Sequence, residues 1–137
     1  MTLRLFLLAH GRSGDKGDLV NIGVIARHDE WYPFLARELT AKRVEGFLQP
    51  LRIGQVERFE LANLAAFNFL VHDALGGGGS LTLRLDAQGK AFAQALLRLP
   101  LEVPPEIASQ VLKHWGADLP SGCVLERDDG ATQRNVP

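Results

Sequence analysis

The chain has 137 residues, of which 46% are hydrophobic and 23% charged, with a formal net charge of -1. That length and apolar content suit one compact domain that folds without a disulfide or metal staple. The balanced charge offers no basic face for nucleic acid. The single cysteine, Cys123, excludes an internal disulfide and any cysteine-based zinc site.

The opening "MTLRLFLLAH" is too short for a membrane span and has no small-residue cleavage site. Its apolar run, Leu3 to Ala9, reads as a central strand of a cytoplasmic protein that does not contact membrane. A glycine-rich loop, "HGRSGDKGD", follows. A second strand is expected over Leu19–Arg27, with Gly23 marking a bulge or a close backbone approach. "HDEWYPFLARELT" reads as a helix capped by Asp29, with Pro33 in its first turn. Thr40 ends it and caps a second helix, "AKRVEGFL".

"QVERFEL" predicts a third strand, with Phe59 and Leu61 toward the core and Arg58 and Glu60 away. Asn63 is expected to cap a helix, "LAAFNFLVHDAL", whose stripe is Leu64, Phe67, Val71, Ala74 and Leu75. Gly76 to Gly79 ends it. "SLTLRLD" predicts a fourth strand, "AQGKAFAQALLRL" a turn and helix, and "VPPEIASQVLKHWG" a short helix. One domain over 1–120 is expected, with a polar tail over 121–137. Strands and helices intermix without strict alternation, so the fold expected is α+β. Its architecture would be a four-stranded, mainly antiparallel sheet with helices on one face and an open polar face on the other.

The loop carries the most chemistry. Gly11, Gly14 and Gly17 would expose successive amides as a nest for an anion, with Arg12, Lys16 and Ser13 around it. The glycine spacing is not that of a P-loop. Asp15, Asp18 and Asn21 offer oxygen ligands, but the carboxylates are few and the spacing is not that of an EF-hand, so no metal is expected. Ser13 has no local base, which leaves a hydrolase triad unsupported. On the expected helix, Asn68 and His72 lie four residues apart on one face, and His72 is an acid-base candidate near neutral pH. His10 ends the first strand and could join it. Gly77 and Gly78 would let a backbone approach a ligand closely.

Three strings together resemble one known family: "HGRSGDKGDLVNIGVIAR", "FELANLAAFNFLVHDALGGGGS" and "SLTLRLDAQGK". They resemble the small C-terminal domain of the AtuA family, named for acyclic terpene utilisation, over about Leu3 to Leu101. Ala62 departs from the pattern, which has proline before the Asn-Leu pair. The resemblance implies a ferredoxin-like sandwich. It also implies a large AtuA-type partner encoded separately, because large members fuse this domain to a longer N-terminal part. An oligomer is therefore expected.

The implied setting is breakdown of acyclic terpenoids and related branched acids as acyl or acyl-CoA compounds. No cofactor and no established catalytic residue come with it. The first reading is thus a companion subunit that helps form a site for a branched acyl compound. Arg12, Ser13, Gly14, Lys16, Gly17, Asn21, Asn68, Gly77 and Gly78 would bind ligand, and His72, Asp15 and Asp18 would be the catalytic candidates. The alternatives are a stand-alone lyase or hydratase on a carbonyl compound, and an interaction module without catalysis.

Overall fold

A computed structural model describes residues 1–16, 19–74 and 91–126. The first apolar run serves two sheets rather than one strand. Thr2–Arg4 (β1) pairs with Pro100–Glu102 (β6) and Val124–Leu125 (β7) in a small antiparallel sheet. Leu5–Leu7 then forms a 3-10 turn, and Ala9–Lys16 (β2) enters the main sheet. Leu3, Leu5, Leu7, Leu8 and Ala9 are all fully buried and Phe6 packs partly buried against the same core, so every apolar position of the run is used although the strand is broken. Val124–Leu125 belongs to the fold and not to the tail expected from Ser121; residues 127–137 lie outside the described ones.

The main sheet has the order β2-β3-β5-β4, with every neighbouring pair antiparallel. Its other strands are Leu19–Ala26 (β3), Val56–Leu61 (β4) and Ala66–Val71 (β5). Between β3 and β4 lie the helices Tyr32–Glu38 (α1) and Ala41–Phe47 (α2); residues 91–97 form α3 and Pro105–Trp115 forms α4. From β3 onward the described elements run strand, helices, strand, strand, helix, as in the ferredoxin-like pattern. β2, at the head of the chain, fills the edge place beside β3 that a last strand takes in that pattern.

Several local expectations hold. Pro33 sits in the first turn of α1. The Thr40 hydroxyl accepts the Arg43 amide at 3.1 Å, capping α2. Asp29 instead opens a 3-10 turn, Asp29–Trp31, that leads into α1 without a side-chain cap.

Three expectations are overturned. The glycine-rich "loop" is mostly strand: residues 9–16 pair in unbroken register with 19–26, from Ala9↔Ala26 to Lys16↔Leu19. Gly23 therefore makes no bulge. Secondly, the helix expected after Asn63 is β5. Phe67 and Val71 satisfy a period of 3.6 and a period of 2 alike, which hid the alternation of buried Phe67, Phe69 and Val71 with half-buried Asn68, Leu70 and His72. Asn63 sits in a 3-10 turn, Ala62–Leu64, and Ala65 at φ 50° turns the chain left-handed, which no helix continues through.

Thirdly, β4 has the opposite phase to that expected. Phe59 and Leu61 face outward. Arg58 faces the helices, where its guanidinium donates to the Ala36 and Leu39 carbonyls at 2.7 and 3.0 Å and lies over the Phe67 ring. An arginine head can occupy the inner side because helix-end carbonyls accept its protons there. The strand expected over Ser80–Asp86 and the glycine run Gly76–Gly79 lie outside the described residues.

The core fills the inner face of this sheet. Val20, Ile22 and Val24 of β3 and Phe67, Phe69 and Val71 of β5 are essentially inaccessible. They share one cluster with Phe34 and Leu35 of α1, Val44 of α2, Leu96 of α3 and Val111 of α4. The described helices thus supply a single side, and the other face of the sheet is left to the residues of opposite parity.

Candidate functional site

That outer face collects one parity from four strands. The register sets Arg12, Gly23, Asn68 and Phe59 in one row across the sheet, and Gly14, Asn21, Leu70 and Glu57 in the next. Residues directly opposite stand about 4.5–5.5 Å apart at Cβ, so side chains in a row touch one another's space. Asn21 and Arg12 are exposed and Asn68 half-buried. No hydrogen bond or ion pair engages the Arg12, Asn21 or Asn68 side chains among the described residues.

Gly14 and Gly23 give this patch its floor. A Cβ at Gly14 would meet nothing within 4 Å, and one at Gly23 would only approach the Arg12 carbonyl at 3.9 Å. Their lack of side chains leaves an open groove of about 490 Å³, bordered by Arg12, Gly14, Asn21, Gly23 and Leu70, with Ser13, Asp15 and Leu19 at its margin. The volume is in the range of small-molecule sites. The groove is a strip of sheet surface rather than a closed cleft.

The remaining predicted residues divide. Ser13 has the inner parity, and its hydroxyl accepts the Ala93 amide of α3 at 3.2 Å, so it ties the hairpin to a helix. Asp15 shares that parity, opposite Val20, while Asn21 stands opposite Gly14 on the outer one. Lys16 places its backbone opposite Leu19. Gly17, Asp18, Gly77 and Gly78 lie outside the described residues. The anion nest expected from successive loop amides does not form over 9–16. An extended strand points its amides alternately to either side, and those facing β3 bond within the sheet.

His72 closes the outer row of β5. Asn68 and His72 share a face as expected, because residues four apart coincide in a strand as well as in a helix. The His72 amide donates to the Gln55 carbonyl at 2.9 Å, and the Gly54 amide donates to the His72 carbonyl at 2.8 Å. Gly54 suits this close approach, since a Cβ would fall 3.1 Å from the His72 carbonyl and would push the Asp73 carboxylate, at 2.7 Å, aside. On the ring itself, Nε2 lies 2.6 Å from Glu57 Oε1. Glu57 is the site residue that sequence reasoning missed. Its signal was the alternation of β4, read in the wrong phase.

His10 is held differently. Its Nε2 lies 3.4 Å from the Arg27 guanidinium, which sits 5.1 Å from the Phe6 ring and 4.8 Å from the Trp115 ring, beside the stack those two rings make. Burial, and then the Arg27 charge, lowers the His10 imidazole below its ordinary value.

The apolar residues of the same face are the other unexpected feature. Ile25 is 45% exposed, Phe59 46% and Leu61 41%, and Leu64, in the turn that follows β4, is 61% exposed. These are large side chains lying beside an arginine and two carboxamides whose side chains make no hydrogen bond or ion pair among the described residues. Such a mixture is typical of surfaces that meet another molecule.

The fold and face together define a ferredoxin-like α+β domain with one sheet face packed and one open. A family model described as the AtuA ferredoxin-like domain matches residues 3–102, and the chain belongs to that family. No curated protein and no solved structure matches it. No helix among the described residues is long and apolar enough to cross a membrane.

Proposed function

We propose that this chain is the small companion subunit of a larger AtuA-type protein. Its outer sheet face would help form a composite site for a branched acyl or acyl-CoA compound in acyclic terpenoid or related acid catabolism. The observation that carries this reading is the outer face itself, with Arg12, Asn21 and Asn68 over a glycine floor and exposed Ile25, Phe59 and Leu61 alongside.

The guanidinium and carboxamides are donors suited to a carboxylate, a thioester carbonyl or a phosphate. An open groove leaves a ligand largely in water, whereas small-molecule sites bury most of theirs. A second chain laid on the apolar residues supplies the missing wall. The test mixes this chain with a separately expressed large AtuA-type chain, at micromolar concentration, with and without a branched acyl-CoA. A complex on size exclusion that Phe59→Ser weakens supports the reading; no association under either condition refutes it.

One observation favours a second reading, a stand-alone lyase or hydratase. The Glu57 carboxylate against His72 is an arrangement that orients an imidazole for proton transfer. On that reading the isolated chain turns over a carbonyl substrate and His72→Ala nearly abolishes it. Both groups are about two-fifths exposed, so the pair has no dry pocket of its own, and this reading ranks second.

A further inference from the structure

A second cleft, of about 540 Å³, lies where the segment joining β3 to α1 meets the last turn of α4. His28, Asp29, Glu30, Trp31, Lys113 and His114 border it, and none of them belongs to the outer sheet face. His28 Nε2 and His114 Nδ1 stand 3.1 Å apart, with ring centroids 4.9 Å apart and planes at 89°. Neither position stood out in the sequence, because 86 residues separate them.

The rings are held by a rigid wall. His28 lies 4.6 Å from the Trp31 ring and His114 5.9 Å from it. Trp31 is 2% exposed and its indole N–H donates to Gln110 Oε1 at 2.9 Å. Trp115 is 5.8 Å from His114, and its own N–H donates to the Leu7 carbonyl at 2.9 Å.

The geometry points to a binding site for a divalent transition-metal ion of the Cu²⁺ or Zn²⁺ class, held by His28 Nε2 and His114 Nδ1. Metal–imidazole bonds are about 2.0–2.1 Å long, so nitrogens at this separation subtend roughly 95–100° at a shared ion. That angle falls between the square-planar and tetrahedral arrangements these ions adopt. Perpendicular rings keep the two imidazoles clear of each other around the ion. Without metal, the same contact is a hydrogen bond in which one of the two nitrogens carries its ring's proton; with metal bound, that proton sits on the other nitrogen of the same ring.

Among the described residues no three His, Cys, Asp or Glu side chains gather around one point. The site is therefore a two-imidazole one. Water completes it, and the exposed carboxylates of Asp29 and Glu30 at the mouth add negative charge nearby. Micromolar affinity is expected, weaker than that of a structural zinc site. Lys113 is the opposing charge in the lining, on an exposed chain that can swing away.

The ring contacts also supply the probe. The two tryptophans of the chain both lie against this pair, so bound Cu²⁺ quenches their emission. The untagged full chain is titrated with copper(II) chloride and read by tryptophan fluorescence. Zinc chloride is titrated in parallel and read by calorimetry and by the unfolding temperature. Saturable quenching at one equivalent, and a higher unfolding temperature with Zn²⁺, are expected.

His28→Gln and His114→Gln should each weaken both ions at least tenfold, while His10→Gln changes neither. Both histidines are exposed, so the variants fold, and circular dichroism checks this. No saturable binding by the parent chain, or equal binding by His114→Gln, overturns the proposal. Either result leaves the companion-subunit reading untouched, because the two sites share no residue.

Discussion

The two faces of the main sheet are built from the same strands and do opposite things. On β3, Val20, Ile22 and Val24 point inward and are fully buried, while Asn21, Gly23 and Ile25 alternate with them on the outside. On β5, Phe67, Phe69 and Val71 alternate in the same way with Asn68 and Leu70, and His72 continues the outer row one residue past the strand. The inner parity carries the stability of the domain. The outer parity carries Arg12, Asn21 and Asn68 beside the exposed Ile25 and Phe59. A strand makes this division sharp, because a shift of one residue moves a side chain to the opposite side.

The division is broken most directly from the inside. Phe69 is fully buried against Phe67 in the common core. Phe69→Ala removes a whole ring from a packed interior and is expected to cost about 3–5 kcal/mol by chemical denaturation. A cost below roughly 1 kcal/mol would mean that the inner face is not the stabilising one.

Two glycines on β2 make a finer comparison. A Cβ at Gly11, on the inner parity, would meet the Leu97 side chain at 3.2–3.3 Å, whereas one at Gly14, on the outer parity, meets nothing. Gly11→Val overpacks the hairpin against α3 and should cost about 1–3 kcal/mol. Gly14→Ala should leave stability unchanged or slightly raised, while its methyl group stands on the groove floor and weakens whatever binds there. Equal denaturation midpoints for the two variants would erase the distinction between the faces.

The smallest expected effect is the acid-side slope of stability. Burial and the Arg27 charge hold the His10 imidazole below its ordinary 6.5. Between that lowered value and 6.5, the unfolded chain binds more protons than the folded one. Stability therefore falls as the pH drops from 6.5 through the lowered value. Removing the group should flatten that fall, so His10→Gln is expected to lose less stability than the parent between neutral and mildly acid pH. A steeper fall in the variant would contradict the assignment. Proton-detected titration of the ring should place its midpoint below 6.5.

The sequence disclosed composition-level and local features better than phase. The α+β class, the one-sided helices, the Thr40 cap and the position of Pro33 were all legible, because each rests on residue types or on short-range chemistry. β5 was not, since Phe67 and Val71 fit a helical and a strand period alike, and only the left-handed Ala65 decides between them. β4 was read as a strand but inverted, because an arginine satisfied by the Ala36 and Leu39 carbonyls looks in sequence like a residue that belongs in water. That inversion concealed both Glu57 and the exposed Phe59.

The glycine-rich stretch looked like a loop because glycine and aspartate are turn residues. In the fold they are tolerated in an edge place of the main sheet, where Gly11 makes room for α3 and Gly14 for the groove. Asn68 and His72 share a face although both had been placed on a helix, because residues four apart coincide in either element. The His28–His114 pair depends on a contact between distant segments and was beyond any reading of local pattern.

The central claim is that the outer face is an interaction surface that the fold itself does not need. The most direct measurement uses the double variant Ile25→Ser, Phe59→Ser alongside the parent chain. Each is titrated calorimetrically with the large AtuA-type chain, and each is unfolded in urea. The account predicts that association falls at least tenfold while the urea midpoint stays within about 1 kcal/mol of the parent in stability. A double variant that binds the large chain as tightly as the parent, or that unfolds before it can be titrated, would contradict it.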